Sequence, residues 1–84
     1  MGQQRRPQPR RLASKLRKVR EMLDLSQEQM AERFKHVKSP PQPGTISRYE
    51  TGQREPSLLV LLEYARLAGI STDVLIDDKL NLTK

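Results

Sequence analysis

The chain has 84 residues, with 16 lysines and arginines against 10 aspartates and glutamates, giving a net charge of +6. This length suits one small domain, which buries ~60% of the surface that its unfolded chain exposes. There is no cysteine, which excludes disulfides and thiolate metal sites, and no apolar run approaches the ~20 residues of a membrane span. The N-terminus lacks the apolar segment of a secretory signal, so we predict a small cytoplasmic domain.

Positive charge is concentrated at the N-terminal end. Residues 1–20 contain eight bases and no acid, whereas the remaining residues contain eight bases and ten acids, a net charge of −2. Residues 1–11 have no apolar residue after Met1, and Pro7 and Pro9 disfavour a helix. We predict a mobile basic arm that binds nucleic acid along the phosphates or in the minor groove; a solubilising tail is the alternative. The arginines of this arm are Arg5, Arg6, Arg10 and Arg11.

An amphipathic helix is predicted to begin near residues 10–12. Its apolar residues recur at intervals of four, three and four, which places them on one helical stripe: Leu12, Leu16, Val19 and Leu23. The opposite face is basic and contains Arg11, Lys15 and Lys18. Such a helix also fits a membrane surface or an acidic partner, but the helices that follow favour a stripe in the core and solvated bases outside.

A second helix is predicted from its start signals. Ser26 is a favoured N-cap residue and Gln29 lies three positions later, which is the spacing of a capping box. An apolar stripe follows, formed by Met30, Ala31 and Phe34. The next segment, residues 35–42, is basic and rich in prolines that favour extended backbone. It either approaches a nucleic-acid backbone or forms an exposed turn.

A third, short helix is predicted to begin at Pro43, because proline is tolerated at the first helical position, and to end before Gly52. Ile46 and Tyr49 are spaced to face the core. The outward-facing residues are then Thr45, Ser47 and Arg48. Two short helices joined by a turn, the second with a polar outer face, fit a helix-turn-helix.

Two further helices complete the chain. Ser57 is predicted to cap the fourth helix, whose predicted buried face contains Leu58, Leu61, Leu62, Ala65 and Ala68. Gly69 ends this helix. Ser71 is predicted to cap the fifth helix, in which Leu75 and Ile76 close the core. Residues 78–84 are predicted to form a frayed tail.

The segments LSQEQMAERF (residues 25–34) and TISRYETGQREPS (residues 45–57) resemble the Cro/repressor-type, or XRE, helix-turn-helix proteins. The resemblance extends over residues 12–76. It implies an all-α, five-helix, phage-repressor-like domain over residues 12–77 that binds double-stranded DNA, between the basic arm (residues 1–11) and the tail (residues 78–84). The family usually joins its two central helices by a short turn with a glycine after the position of Phe34. Here Lys35 stands at that place and the connection is several residues longer.

The resemblance also implies roles for single residues. Arg20 is expected to pair with Glu50 through a guanidinium–carboxylate fork. The residues expected to bind phosphate outside the arm are Gln27, Thr51 and Arg54. Arg48 is expected to be the main reader of base edges, with a contact to phosphate alone as the alternative. The other candidate readers are Gln42, Thr45 and Ser47.

Two departures from the family's side chains bear on binding. The two positions that often carry long reading side chains are Pro43 and Gly44, so we expect fewer direct base contacts, or recognition of groove shape by arginines. Leu59 and Val60 stand where the family usually has polar residues. They are therefore candidates for a dimer or partner surface, with ordinary partial burial as the alternative.

The predicted function is sequence-specific binding of double-stranded DNA by a repressor-like transcriptional regulator, with a recognition helix at residues 43–51 and a homodimer on the DNA. The expected location is the cytoplasm, at the nucleoid if the source is bacterial or phage. The strongest rival is a protein-interaction, adaptor or antitoxin-like module on the same fold. RNA binding is a third alternative, but its stacking aromatics are expected to face the core. With one histidine, His36, and no glycine-rich phosphate loop, we predict no enzyme activity, cofactor, metal site, membrane association or small-molecule effector.

Overall fold

A computed structural model describes residues 9–82 as five helices. They are α1 (Leu12–Met22), α2 (Gln27–Arg33), α3 (Pro43–Glu50), α4 (Leu58–Ala68) and α5 (Thr72–Ile76). No strand occurs in this range, so the predicted all-α class with five helices is confirmed. Within the same range, no helix is both long enough and apolar enough to cross a bilayer. Arg5 and Arg6 of the predicted arm lie outside the described residues.

The helix starts follow the local signals of the sequence. Ser26 Oγ accepts a hydrogen bond from the Gln29 backbone N–H at 3.0 Å, and Gln29 Oε1 accepts one from the Ser26 N–H at 2.8 Å. This reciprocal capping box confirms the predicted start of α2. α3 begins at Pro43, as predicted, and the Gln42 side chain at its N-cap makes no hydrogen bond to the helix. The Gln42 amide is therefore exposed and available to other groups.

Caps also set the bounds of α4. Ser57 Oγ accepts a hydrogen bond from the Val60 backbone N–H at 3.3 Å, as the sequence predicts. Gly69 ends the helix in the left-handed conformation, with φ of 72°, which glycine adopts without steric penalty. Ser71 occupies the N-cap position of α5, as predicted, but its side chain makes no cap hydrogen bond.

The core forms around α1, which packs against α3, α4 and α5, while α2 packs against α3. The predicted stripe of α1 is confirmed, because Leu12, Leu16 and Val19 are buried and Leu23 is partly buried against them. The rings of Phe34 and Tyr64 pack at the centre with their centroids 5.0 Å apart and tilted by 57°. The largest fully buried side chains are Tyr64, Phe34, Leu16, Met30, Ile46, Leu75 and Val19.

The predicted buried face of α4 is wrong in part. Leu58 is 79% exposed and Leu62 is 38% exposed, whereas Val60, which was expected to face outward, is only 2% exposed. Five consecutive apolar residues at positions 58–62 fit more than one helical stripe, so periodicity alone could not select the face. The buried residues of α4 are Val60, Leu61, Glu63, Tyr64 and Ala65. We call the exposed residues Leu58, Leu59 and Leu62 the α4 apolar patch; Val60 is not part of it.

Two smaller expectations about burial also fail. Ile76, which was expected to close the core, is 43% exposed, and Leu75 alone is buried in α5. Lys15, which was expected to be solvated, is buried. Its Nζ donates to the carbonyl oxygens of Val74 at 2.7 Å and Asp77 at 2.9 Å. The ammonium thus satisfies carbonyls at the end of α5, and its burial lowers the pKa of Lys15.

Residues 10 and 11, before α1, bind residues 78–81, after α5. The Asp78 carboxylate accepts hydrogen bonds from the backbone N–H groups of Arg10 at 2.9 Å and Arg11 at 3.0 Å. The Arg11 guanidinium donates to the carbonyl oxygens of Asp78 at 2.8 Å and Leu80 at 3.3 Å, and to Asn81 Oδ1 at 2.8 Å. Asp78 therefore provides the side-chain acceptor that the N-terminus of α1 lacks locally. The segment predicted as an arm and the segment predicted as a tail thus contact each other through Arg11 and Asp78.

Candidate nucleic-acid interface

The side chains expected to read bases lie on the outer side of α3. Ile46 and Tyr49 are buried on its inner side, where the helix packs against α1 and α2. On the outer side Gln42 and Arg48 are exposed and Thr45 and Ser47 are half-buried. The Arg48 side chain has no hydrogen-bond or ion-pair partner within residues 9–82. Its guanidinium is therefore available to an acceptor outside the chain.

A buried ion pair fixes the end of α3 to α1. Arg20 Nε donates to Glu50 Oε2 at 2.7 Å and Arg20 Nη2 donates to Glu50 Oε1 at 3.0 Å. The side chains are only 16% and 4% exposed, and the hydrogen bond to the Glu50 carboxylate raises the pKa of Arg20. Arg20 Nη1 also donates to the carbonyl oxygen of Leu25 at 2.9 Å, so one guanidinium joins α1, the α1–α2 turn and α3.

Gln27 extends this network to the first residue of α2. Its Nε2 donates to Glu50 Oε1 at 3.2 Å, and the side chain is half-buried. One amide N–H is therefore engaged inside the protein, while the amide keeps a second N–H. Glu50 thus receives donors from both α1 and α2, and it holds the three helices in one relative orientation.

The far end of α3 carries the two remaining candidates for phosphate contact. Thr51 Oγ1 lies 3.1 Å from the carbonyl oxygen of Ser47 and 3.3 Å from that of Arg48. Its hydroxyl proton is directed at these carbonyls, so a bond from Thr51 to a phosphate requires the hydroxyl to turn away from them. Arg54 is exposed and follows Gly52, whose φ of 78° reverses the chain.

Arg10 and Arg54 line one cleft, although they are distant in the sequence. The cleft has a volume of about 240 Å³ and lies between the N-terminal end of α1 and the turn after α3, with Tyr49 in its wall. Arg10 is exposed there, and its backbone N–H is held by Asp78. Arg11, by contrast, uses its guanidinium on the C-terminal segment. The structure therefore leaves Arg10 available for a phosphate and engages Arg11 within the protein.

The long connection between α2 and α3 is anchored at several points. His36 Nε2 lies 3.2 Å from Glu63 Oε1 on α4, Val37 packs against the core, and Pro41 is buried. Ser39 adopts a left-handed backbone conformation with φ of 54°. Residues 35–42 thus form a folded connection that fixes the start of α3. Sequence patterns alone did not indicate the roles of Glu63, Asp78 or Lys15, because each side chain contacts residues remote in the sequence.

This arrangement agrees with the comparison against known families. The family model described as "Helix-turn-helix" (HTH_3) matches residues 16–75, well over half of the chain. The chain belongs to the helix-turn-helix family. The match supports the XRE, or Cro/repressor, type, which is a family of DNA-binding domains and typically not of enzymes. A comparison with curated proteins found no match.

Within this helix-turn-helix domain, α2 and α3 are the paired helices, and their connection is the longer turn at residues 35–42. The helix-turn-helix match includes Arg20, Gln27, Arg48 and Glu50, and ends at Leu75. Arg10 and Asp78 lie outside it. The contact of the Asp78 carboxylate with the backbone of Arg10 and Arg11 therefore lies outside the matched region.

Proposed function

We propose that this helix-turn-helix domain is a sequence-specific, repressor-like transcriptional regulator that inserts α3 into the major groove of double-stranded DNA. The observation that carries the proposal is the Arg48 side chain, which is exposed and has no partner within residues 9–82, on a helix that the buried Arg20–Glu50 pair holds in place. A rigid support matters because direct reading of bases requires side chains in fixed register with the groove.

The docking mode follows from the geometry of helix-turn-helix proteins, in which residues near the start of the second helix meet base edges. Arg48 would donate two hydrogen bonds to O6 and N7 of a guanine. The other proposed base contacts come from Gln42, Thr45 and Ser47. Gln27, Arg54 and Arg10 would bind phosphates, which position the domain without carrying sequence information.

We further propose that two copies bind together through the α4 apolar patch. Three exposed leucines on one helix form an apolar surface that favours association. In dimers of this class, symmetric half-sites lie about 34 Å apart, one helical turn of DNA. The Leu59→Glu variant is expected to shift sedimentation toward the monomer. Ile76→Glu is the matched control, because Ile76 is an exposed apolar residue outside the patch.

The experiment that tests DNA recognition is selection of binding sites from a random duplex library, with sequencing of the retained fraction. The wild-type protein should enrich a motif, and Arg48→Ala should relax the preference at one base position of it. Arg66→Ala removes the same charge from α4 and should enrich the same motif as the wild type. If the wild-type protein enriches no motif, sequence-specific binding is rejected.

A protein-interaction or antitoxin-like module is the second candidate, and the α4 apolar patch favours it. On this alternative, the patch binds a different protein while the outer side of α3 has no ligand. The same selection experiment separates the two functions, since a module of this kind enriches no DNA motif. Sedimentation of Leu59→Glu then adds the second criterion, because unchanged assembly would leave the patch open to another partner.

A further inference from the structure

Gly44 occupies the first turn of α3, although the fold makes no use of a glycine there. Gly52 and Gly69 have positive φ values of 78° and 72°, which explain their lack of a side chain. Gly44 is in ordinary helical conformation and exposed. A Cβ atom added to it would meet nothing within 4 Å, leaving aside its chain neighbours and the helix's own nearby backbone. The folded chain would therefore accommodate alanine at this position.

Glycine is also an unfavourable choice for the stability of α3. Its backbone loses more conformational freedom on entering a helix than that of any other residue, and among ordinary residues only proline forms helices less well. α3 has only eight residues, so the helix propensity of each one has a large effect on the stability of the helix. Gly44 weakens the helix, and no contact inside the protein requires the absence of its side chain. We therefore look for the reason for a glycine on the outer surface of α3.

The neighbours of Gly44 make this surface apolar. Pro43 precedes it and is half-buried, and Thr45 follows it and is half-buried. Proline has no backbone N–H, and neither Pro43 nor Gly44 has a side-chain donor or acceptor. Apart from the Gly44 N–H and the backbone carbonyls, the polar group of this turn is the Thr45 hydroxyl, and the rest of its side-chain surface is carbon. A hydrogen-bonding group of a ligand placed against the carbon surface of Pro43 and the Gly44 Cα would lose water without gaining a partner, which is unfavourable.

We propose that the turn formed by Pro43, Gly44 and Thr45 packs against the 5-methyl group of a thymine, and that Gly44 permits the close approach. The inference rests on the proposed function and adds the base that this turn selects. The thymine methyl is the apolar group among the base edges of the major groove. Guanine and adenine present the N7 acceptor to the groove and cytosine has only a hydrogen at C5, so none of the three offers this turn the apolar contact of a methyl group. The half-site should therefore contain a thymine that Arg48 does not contact.

The first test uses the Gly44→Ala variant, which should move stability and affinity in opposite directions. Alanine favours the helix, so the melting temperature should rise. The added methyl group separates α3 from the base, so affinity for the selected duplex should fall by about fivefold or more, as it does for one mismatched base pair. Gly69→Ala is the control: its φ of 72° makes alanine strained, so the melting temperature should fall while the folded protein keeps its affinity.

The second test replaces each thymine of the selected duplex by deoxyuridine, which removes only the methyl group. At one position the wild-type protein should bind about fourfold more weakly, as expected for one buried methyl group, and Gly44→Ala should show a smaller loss there. The inference is overturned if Gly44→Ala keeps the wild-type affinity, or if no deoxyuridine weakens binding. If either result is found but Arg48→Ala still relaxes the motif, the proposed function stands and only the thymine contact fails. If no motif is selected at all, both fail.

Discussion

Arg20 and Glu50 form the most buried ion pair within residues 9–82, and the pair joins α1 to the last residue of α3. Two hydrogen bonds, of 2.7 and 3.0 Å, connect the guanidinium fork to both carboxylate oxygens. Glu50 also receives Gln27 Nε2 at 3.2 Å. The orientation of the proposed recognition helix is therefore fixed by contacts inside the protein between Arg20, Gln27 and Glu50.

The Arg20→Ala variant should be strongly destabilised. Removal of the guanidinium leaves the nearly buried Glu50 carboxylate without its charge partner, which costs about 3 kcal/mol or more in free energy of unfolding. Urea denaturation measures the change. Arg17→Ala is the matched control on the same helix, because Arg17 pairs with Glu21 in an exposed pair with side chains 63% and 50% exposed. That variant should change stability by no more than about 0.5 kcal/mol, and equal losses in the two variants would contradict the assignment.

Asp78 should stabilise the domain in a pH-dependent way. Hydrogen bonds from the backbone N–H groups of Arg11 and Arg10 lower the pKa of Asp78 from its ordinary value of 3.8. A carboxylate with a lowered folded pKa contributes stability above its unfolded pKa and loses it as the pH falls through the folded pKa. Asp78→Asn should therefore melt at lower temperature at neutral pH and differ less from the wild type below about pH 4. Thermal melts across this range measure it; a constant difference down to the most acidic pH would refute the carboxylate's role.

Two adjacent residues of the apolar run in α4, Leu59 and Val60, should respond differently to truncation. Val60 is 2% exposed and Leu59 is 56% exposed. Val60→Ala should reduce the free energy of unfolding by about 1–2 kcal/mol through lost burial and the cavity left behind. Leu59→Ala should remain within about 0.5 kcal/mol of the wild type when both are measured at a concentration where the protein is monomeric. A larger effect at Leu59 than at Val60 would mean that α4 packs with its other face inward.

Tyr64 provides a test at alkaline pH. Its hydroxyl is buried with no hydrogen-bond partner in the described part of the chain, and burial raises the pKa of Tyr64. Tyr64→Phe should leave stability at neutral pH unchanged or raise it by up to ~1 kcal/mol, because an unsatisfied buried polar group is removed. Above the ordinary tyrosine pKa of 10.0 the unfolded wild-type chain releases a proton that the folded one retains, so the wild type should lose stability there relative to the variant. Denaturation at neutral and alkaline pH measures both effects; a clear loss in the variant at neutral pH would indicate a partner for the hydroxyl.

Local signals in the sequence predicted the helices well. Ser26 with Gln29, Pro43, and Gly69 each act on their own helix end through a cap, a fixed φ or a left-handed turn, so their effects depend on few other residues. The resemblance to the repressor family added the Arg20–Glu50 pair, which joins residues thirty positions apart. Periodicity could not have supplied that contact.

The remaining features depend on tertiary contacts that no local pattern contains. The apolar run at residues 58–62 is compatible with several buried faces of the helix, and only the packing of α4 against the other helices determines which face is buried. The position of Lys15 on the polar face of α1 indicates a solvated base, but in the folded chain its ammonium donates to carbonyl oxygens at the end of α5. Asp78 caps α1 from 67 positions away in the chain. The contact of His36 with Glu63 depends on the path of the long connection between α2 and α3.

The role of α3 is tested most directly by fluorescence-anisotropy titration with the selected duplex and an unrelated duplex at several salt concentrations. The wild-type protein should bind the selected duplex roughly a thousandfold or more tightly, with affinities for both duplexes falling as salt rises. Arg48→Ala should reduce this preference by about 5- to 150-fold, equivalent to ~1–3 kcal/mol, while Arg66→Ala leaves it unchanged. A preference that survives Arg48→Ala intact, or equal losses in both variants, would show that Arg48 does not read the bases.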